Sequence, residues 1–296
     1  MTAKLEIVRN FLPFLLLLSW PGAALGQPAA SALTPAQAQA LVGRALATEV
    51  RTAQDSSHPM RYRLRKSSPR LISTKEIAET RDGDVARLIA INDQPLSQTD
   101  EQREEARLDA LLSDPGRQRH RMQREESDTG IVLKLLRMLP HAFTYEYAGS
   151  GQGSAGPDHS GIVEKFRFHP NPAFRPPDLE TQALTAMSGE IWIDAAQERV
   201  TRLEGHLQQD TNYGWGILGK LDKGGWIVLE QAEVGAEQWR IARFQIKMDL
   251  RILLKTKIFD SVQEMTWYAP LPANLDYQQA IQMLRGEPER VAPKAH

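Results

Sequence analysis

Apolar and polar residues alternate along the chain from about Ala183 to Pro272, and this pattern predicts a long antiparallel β-meander. Because strand side chains change face at every residue, such a sheet has one apolar and one solvated surface. The predicted strands are Ser188–Asp194, Arg199–Leu207, Gly225–Glu233, Gln238–Leu250, Arg251–Phe259 and Val262–Tyr268. The residues expected on the apolar surface are Ile191, Ile193, Leu203, Phe244, Ile246, Met248 and Leu250.

Further strands are predicted ahead of the meander. They are Met60–Lys66, Leu71–Arg81, Asp84–Asn92, Ala142–Ala148 and Val163–Phe168, with Asp82-Gly83 as a two-residue hairpin turn. The alternation inside Asp84–Asn92 is interrupted, which indicates a bulge or a shifted register. Gly149–Gly161 is predicted as a Gly/Ser-rich loop.

Three stretches have helical patterns. Thr34 and Pro35 are suited to the N-cap and first position of a helix over Ala36–Val50, and Thr99–Leu112 is a charged helix with a thin apolar stripe. Ile131–Leu139 is hydrophobic nearly all round, so we expect a buried helix that ends at Pro140 and covers the apolar sheet face. Its covering residues would be Ile131, Leu135, Leu136 and Leu139, either as a mobile lid or as fixed core.

The first residues have the three-part layout of a secretory signal. Two basic residues precede a short apolar run, and small residues follow it, so we expect cleavage after residue 26 and export to a periplasm. An uncleaved membrane anchor is the alternative. Residues 27–33 are expected to be a disordered leader and 286–296 a disordered tail. Between them, 34–285 is expected to be one β-rich domain with a helical insertion at 99–139.

Composition excludes several kinds of chemistry. The chain has no cysteine, which excludes disulfides, thiolate metal sites and thiol catalysis, and its net charge of -1 gives no indication of a nucleic-acid partner. Its 7 histidines lack metal-ligand spacing, so neither a metal nor a cofactor is expected. Asp158-His159-Ser160 combines catalytic residue types, but adjacent side chains cannot align as a relay, so a hydrolase acting through His159 is the weakest hypothesis.

Arg61, Arg63 and Arg65 share one face of the first predicted strand. A cationic strand face could dock on an anionic membrane surface or on an envelope protein. The alternative, which we favour, is a solvated face whose charges pair with neighbouring acidic residues such as Glu76 and Glu79.

Ser188–Asp194 and the following Glu198–Glu204 resemble the strand-turn-strand of the bacterial periplasmic lipoprotein-carrier superfamily (LolA/LolB-like). The long strands over Trp239–Phe259 are similar as well. The resemblance implies an α+β fold of mainly antiparallel strands: a half-open β-barrel whose concave apolar face is covered by helices and accepts acyl chains. No residue here matches that family's lid-locking arginine.

The resemblance and the apolar face together lead us to expect a non-enzymatic exported carrier or binding protein for a lipid, an acyl chain or an acylated protein. The alternative is a structural or adaptor protein of the cell envelope, with Ile131–Leu139 packed permanently into the sheet. An open or a filled interior would distinguish the two.

Overall fold

A computed structural model describes residues 33–153, 161–213, 219–235, 238–252 and 255–286. The predicted signal and leader up to residue 32, the Asp158-His159-Ser160 sequence and the tail beyond Gly286 lie outside these ranges.

The described residues form an α+β fold with a mostly antiparallel sheet, and the predicted fold class is confirmed at this level. The helices are α1 Pro35–Gln54, α2 Gln98–Ser113, α3 Pro115–Ala142, α4 Leu179–Gln182 and α5 Tyr277–Arg285, with a 3-10 turn at Ala183–Ala186. The strands are β1 Met60–Ser67, β2 Ile72–Ala78, β3 Val85–Ile91, β4 Gln94–Pro95, β5 Phe143–Gln152, β6 Ile162–Pro170, β7 Met187–Asp194, β8 Arg199–Leu207, β9 Thr211–Tyr213, β10 Gly219–Leu221, β11 Trp226–Glu233, β12 Trp239–Ile252 and β13 Lys255–Pro270.

One continuous sheet carries the fold. Its strand order is β4-β3-β2-β1-β13-β12-β11-β8-β7-β6-β5. The short strand β10 pairs with β12, and β9 pairs with β10. The first and last long strands, β1 and β13, are therefore neighbours in the middle of the order. The path ends at β4 and at β5, so the sheet is not closed.

The main core lies on the apolar face that the alternation predicts. Register pairs Phe166 with Ile191, Ile191 with Leu203, Leu203 with Leu229 and Leu229 with Phe244, so these side chains share one face. Helix α1 begins at the predicted Thr34 cap and buries its predicted apolar stripe against this face. The stripe and the C-terminal end of α3 together contribute Leu41, Val42, Ala45, Leu46, Leu139 and Ala142.

A second core, absent from the sequence predictions, lies on the opposite face. Arg63 pairs with Glu76, and Ala78 belongs to the same face as Glu76 because the two are separated by one residue along β2. Ala78 packs with residues of α2 and α5: Leu108, Leu111, Ala280, Ile281 and Leu284. Helices therefore cover both faces of the sheet, not only the predicted apolar one.

The prediction for Ile131–Leu139 was wrong in extent and in burial. The apolar stretch belongs to a single 28-residue helix that also contains the basic segment from Arg117, and Pro140 lies inside its last turn. Proline near a helix C-terminus removes only one hydrogen bond, so the helix ends two residues later, at Ala142. Ile131 and Val132 are exposed, and within the predicted stretch only Leu139 is buried, because the C-terminal end of α3 packs against α1 and β5.

Several strand boundaries also differ from prediction. The predicted strands Arg251–Phe259 and Val262–Tyr268 are largely one strand, β13, which pairs with β12 from Ile252↔Lys255 to Arg243↔Glu264. β5 continues to Gln152, so the predicted loop begins later than expected. The predicted irregularity in β3 is confirmed by a register shift that leaves Ile89 unpaired with β2. The short strand β4 was missed; it follows a two-residue turn in which Asn92 and Asp93 both have positive φ.

Candidate functional site

A cavity of about 480 Å³ lies among α1, α3, the turn between β2 and β3, and strands β8, β11 and β12. Its apolar lining comes from the predicted sheet face and from the two helices that cover it. The main apolar residues are Leu46, Val132, Leu136, Val200, Leu203 and Leu229.

The structure distributes the predicted apolar-face residues between core and cavity. Leu203 lines the cavity, whereas Ile191 and Ile193 are fully buried in the main core. Met248 and Leu250 are partly buried and pack against that core. Phe244 and Ile246 are half-buried on the same face, outside both core clusters.

The predicted covering residues divide in a similar way. Leu136 lines the cavity and Leu139 is buried in the core, with Leu135 packed against it. Ile131 points to solvent, while its neighbour Val132 lines the cavity although it is 53% exposed. Leu46 and Leu229, which the sequence analysis did not single out for the site, complete the apolar wall.

The deep end of the cavity contains a buried polar cluster. Glu49 of α1 accepts hydrogen bonds from Arg199 Nη2 at 3.0 Å, Gln231 Nε2 at 3.0 Å and the Val200 N–H at 2.9 Å. Arg199 also donates to Thr52 Oγ1 at 2.7 Å, and its guanidinium lies 5.8 Å from the Trp239 ring centroid. Burial raises the pKa of Glu49 and lowers that of Arg199, while their mutual attraction opposes both shifts. The cluster fixes α1 to the sheet.

At the other side of the cavity, α3 contacts the turn between β2 and β3. Both carboxylate oxygens of Glu125 accept from the Asp84 N–H, at 3.1 and 3.0 Å. Gln118 donates to the Asp82 carbonyl, and Arg121 donates to the Gly83 carbonyl at 3.3 Å. Gly83 has a φ of 88°, and a Cβ there would lie 2.9 Å from Glu125 Oε2, so the turn needs glycine for its conformation and for the close approach of α3.

Three carboxylates meet at this contact: Glu79, Asp84 and Glu125. Burial, followed by repulsion from Glu125 and Glu79, raises the pKa of Asp84 from its ordinary value of 3.8 to about 8. Burial also raises the pKa of Glu79, whose carboxylate accepts from the Met60 N–H at 2.8 Å. The raised pKa favours the protonated form of Asp84, which can donate a hydrogen bond beside the other two carboxylates.

The mouth of the cavity is polar and carries charges of both signs. Its exposed lining residues come from the end of α1, from the β2–β3 turn and from α3. They include Asp55, Ser56, His58, Arg81 and Thr129. The cavity is a cleft open to solvent, with apolar residues on its sheet side and charged residues at its rim, an arrangement that suits an amphiphilic ligand.

The arginines of β1 lie on the opposite face of the sheet and form ion pairs. Glu76, which is only 3% exposed, accepts from Arg61 at 2.6 Å and from Arg63 at 3.1 Å. Arg65 pairs with Asp93 at 2.7 Å and with Glu264 at 3.1 Å. The pairing that the favoured alternative predicts is present, but Glu76 is buried and Arg63 mostly buried, so this part of the face is not solvated. Glu79 lies elsewhere and takes no part.

We expect Arg63→Gln to lower the free energy of unfolding by about 2 kcal/mol, because it removes charged hydrogen bonds to the buried Glu76 carboxylate. Arg65→Gln, the control, should cost less than about 1 kcal/mol because its pairs are solvent-exposed. Urea unfolding of the two variants measures both values. Equal, small losses of stability in both variants would show that the buried Glu76 carboxylate is not stabilised by Arg63.

Within the described residues, no group of three or more His, Asp or Glu side chains is arranged to hold a metal ion. Among the described helices, none combines the length and the hydropathy needed to cross a bilayer. Comparisons with protein-family models, with curated proteins and with solved structures give no match to this chain.

Proposed function

We propose that the chain is a non-enzymatic exported carrier or binding protein of the cell envelope that holds the acyl chain of a lipid or of an acylated protein. The observation that carries this proposal is the cavity of about 480 Å³ beneath α1 and α3, with apolar walls and a charged mouth. Its volume falls within the range of small-molecule sites, roughly 300 to 1,000 Å³. The space between α1, α3 and the sheet favours this proposal over the structural or adaptor alternative, which requires a filled core.

We further propose that the sheet is a highly curved half-open barrel whose concave face is the apolar one. The support comes from α3. Its N-terminal half contacts the β2–β3 turn through Gln118 and Arg121, and its C-terminal half packs with α1 and Tyr145 of β5. β2 and β3 lie near one end of the strand order, and β5 lies at the other end. One helix therefore spans the distance between the two ends of the sheet.

Ligand entry is then best placed at the mouth, between α1 and the middle of α3. α1 is held by the buried Glu49–Arg199 pair, and α3 is tied to the Asp178 and Glu180 carboxylates through Lys134 at 2.9 and 3.1 Å. Between the Lys134 and Glu125 anchors, α3 is mostly exposed and makes few core contacts.

Filling the cavity should weaken ligand binding without unfolding the protein. We expect Leu229→Trp to weaken binding of a fluorescent fatty acid at least tenfold, because the indole occupies the space of the chain. Ile258→Trp adds the same group at an exposed position on β13 and should bind like the unchanged protein. Fluorescence titration measures both affinities, and circular dichroism confirms that each variant is folded.

The proposal fails if the unchanged protein takes up no fatty acid, lysophospholipid or diacyl lipid, and carries none when analysed by native mass spectrometry after gentle purification. It also fails if folded Leu229→Trp binds the probe as tightly as the Ile258→Trp control, since the chain would then lie outside the cavity.

A further inference from the structure

We infer that the contact between α3 and the β2–β3 turn is a proton-controlled latch at the rim of the cavity. A proton on Asp84 holds the N-terminal half of α3 against the turn, and loss of that proton releases it. Asp84 and Glu125, one from each side of the contact, both line the cavity, so release of α3 widens the rim. The latch operates whichever ligand the cavity takes.

The N-terminal half of α3 is weakly attached. The buried residues of this helix are Gln118, Leu139 and Ala142, so its N-terminal half contributes no buried apolar side chain. Its contacts with the turn are hydrogen bonds donated by Gln118 and Arg121 and accepted by Glu125. Segments without buried apolar contacts open at a lower free energy than a packed core, so this half can separate while the C-terminal end stays in place.

Asp84 and Glu125 are the pair on which the latch depends. The Asp84 N–H lies 3.1 and 3.0 Å from the two carboxylate oxygens of Glu125, and the Asp84 carboxyl group also bonds to that carboxylate. A bond between two carboxyl groups needs a proton on one of them. When Asp84 loses its proton, two negative charges face each other in a partly buried site, and their repulsion favours separation of α3 from the turn.

Other titratable groups face Asp84 from the neighbouring elements. Glu79 at the end of β2 adds a negative charge, as Tyr62 of β1 would if ionised, whereas Arg121 of α3 favours ionised Asp84 and so opposes release. Burial raises the pKa of Glu79 by more than the Met60 N–H and Arg240 of β12 lower it. The remaining charged side chains of the turn and rim have other partners: Arg81 lies 3.8 Å from Asp276, Asp82 accepts from the Tyr277 N–H at 3.3 Å, and His58 lies 3.2 Å from Asp55.

The direction of the switch follows from the two states of Asp84. Burial and then repulsion from Glu125 and Glu79 raise its pKa to about 8 while α3 is held, and release returns the pKa towards its ordinary value of 3.8. The ratio of released to held α3 should therefore rise as pH increases from about 4 to 8 and level off above 8. Between pH 5 and pH 8 we expect an increase on the order of thirtyfold, because residual solvent contact keeps the change below the roughly tenfold per pH unit that one proton allows.

Amide hydrogen exchange followed by NMR measures the latch directly, because the Asp84 N–H is one of its bonds. The protection factor, which is the intrinsic exchange rate divided by the measured rate at the same pH, should fall about thirtyfold at this amide between pH 5 and pH 8. The Leu88 N–H is the matched control: it donates to the Glu104 carboxylate of α2 at 2.8 Å, so a helix carboxylate holds it too. Its protection should stay constant.

Two variants fix the latch in opposite states. Asp84→Asn keeps a donor toward Glu125 and has no proton to lose, so protection at position 84 should remain high at pH 8. Gly83→Ala should release α3 at every pH, because a Cβ there lies 2.9 Å from Glu125 Oε2 at a φ of 88°. Circular dichroism and protection at Leu88 verify that both variants are folded.

Movement of α3 itself is measured with a pair of spin labels, since the chain has no cysteine of its own. Ala47→Cys on α1 and Gln123→Cys on α3 place both labels at exposed positions. We expect pulsed electron paramagnetic resonance to show a longer distance in Gly83→Ala, and the same longer distance to gain population from pH 5 to pH 8 in the protein that keeps Gly83.

The latch is ruled out if protection at Asp84 does not change between pH 5 and pH 8, or if it falls equally in Asp84→Asn. A parallel fall at Leu88 also rules it out, since the whole sheet would then lose stability. An unchanged distance between the labels in Gly83→Ala would show that the turn does not position α3. These measurements involve no ligand, so they stand or fall separately from the proposed function.

Discussion

Arg199→Met is expected to lower the free energy of unfolding by about 3 to 5 kcal/mol, because it leaves the Glu49 carboxylate buried without its cation. Burial already raises the pKa of Glu49, and removal of Arg199 should raise it further. A carboxyl group with a raised folded-state pKa costs stability as pH increases. The loss should therefore be larger at pH 8 than at pH 5, which urea unfolding at the two values measures.

Two further variants separate the buried pair from a general effect of losing charge. The double change Glu49→Leu with Arg199→Met should recover most of the loss, because both buried charges are replaced by apolar groups. Arg44→Met is the matched control: Arg44 also lies on α1 and pairs with Glu198 at 2.6 Å, but at an exposed position, so its loss should cost less than about 1 kcal/mol. If Arg199→Met is as mild as Arg44→Met, the pair does not hold α1 to the sheet.

The alternation of residues was sufficient to predict most of the sheet. A period of two is a local signal, and it placed β7, β8, β11 and β12 within a few residues of their observed bounds. It also placed Ile191, Leu203 and Phe244 on one face. Pairing across the sheet was not predictable, because β1 joins β13 from the far end of the chain and nothing local encodes that neighbour.

Helix α3, whose burial was predicted wrongly, and helix α5, which was not predicted, show two different limits of sequence-based prediction. Ile131–Leu139 looks buried when considered alone, but it continues a polar helix, and of this stretch only Leu139 is buried. Helix α5 had a readable signal: Asp276 and Gln279 form a capping box, and Ala280, Ile281 and Leu284 make a short apolar stripe. Its place in a second core depended on Leu108 of α2, far away in sequence.

The site could be predicted only in part, because its walls are formed by residues that are far apart in the sequence. The apolar face was predicted, whereas the cavity depends on Leu46, on the β2–β3 turn and on α3, which are separated by many residues. The Glu49–Arg199 contact joins residues 150 positions apart, so neither residue stands out in its own segment.

Asp84→Asn is expected to make the protein more stable than the unchanged protein at pH 8. The folded-state pKa of Asp84 is about 8 against an ordinary 3.8, so the unchanged protein should lose stability as pH rises from about 4 to 8. Asparagine keeps a donor toward Glu125 and has no proton to lose. Its advantage should grow between pH 5 and pH 8 by on the order of 2 kcal/mol. Full titration over these three units would give roughly 4, but the Asp84 side chain keeps some contact with solvent, which reduces the cost of ionisation.

The groups that face Asp84 determine how this result is interpreted. Glu79 at the end of β2 and Glu125 of α3 repel its ionised form, as Tyr62 of β1 would if ionised, whereas Arg121 of α3 favours it. Asp93→Asn is the control: the hydrogen bond from Arg65 lowers the pKa of Asp93, so that carboxyl stays ionised in both states between pH 5 and 8. Its effect should be independent of pH in this range. An equal pH slope in Asp84→Asn and in the unchanged protein would show that Asp84 is not held protonated against α3, and this wall of the cavity would need another explanation.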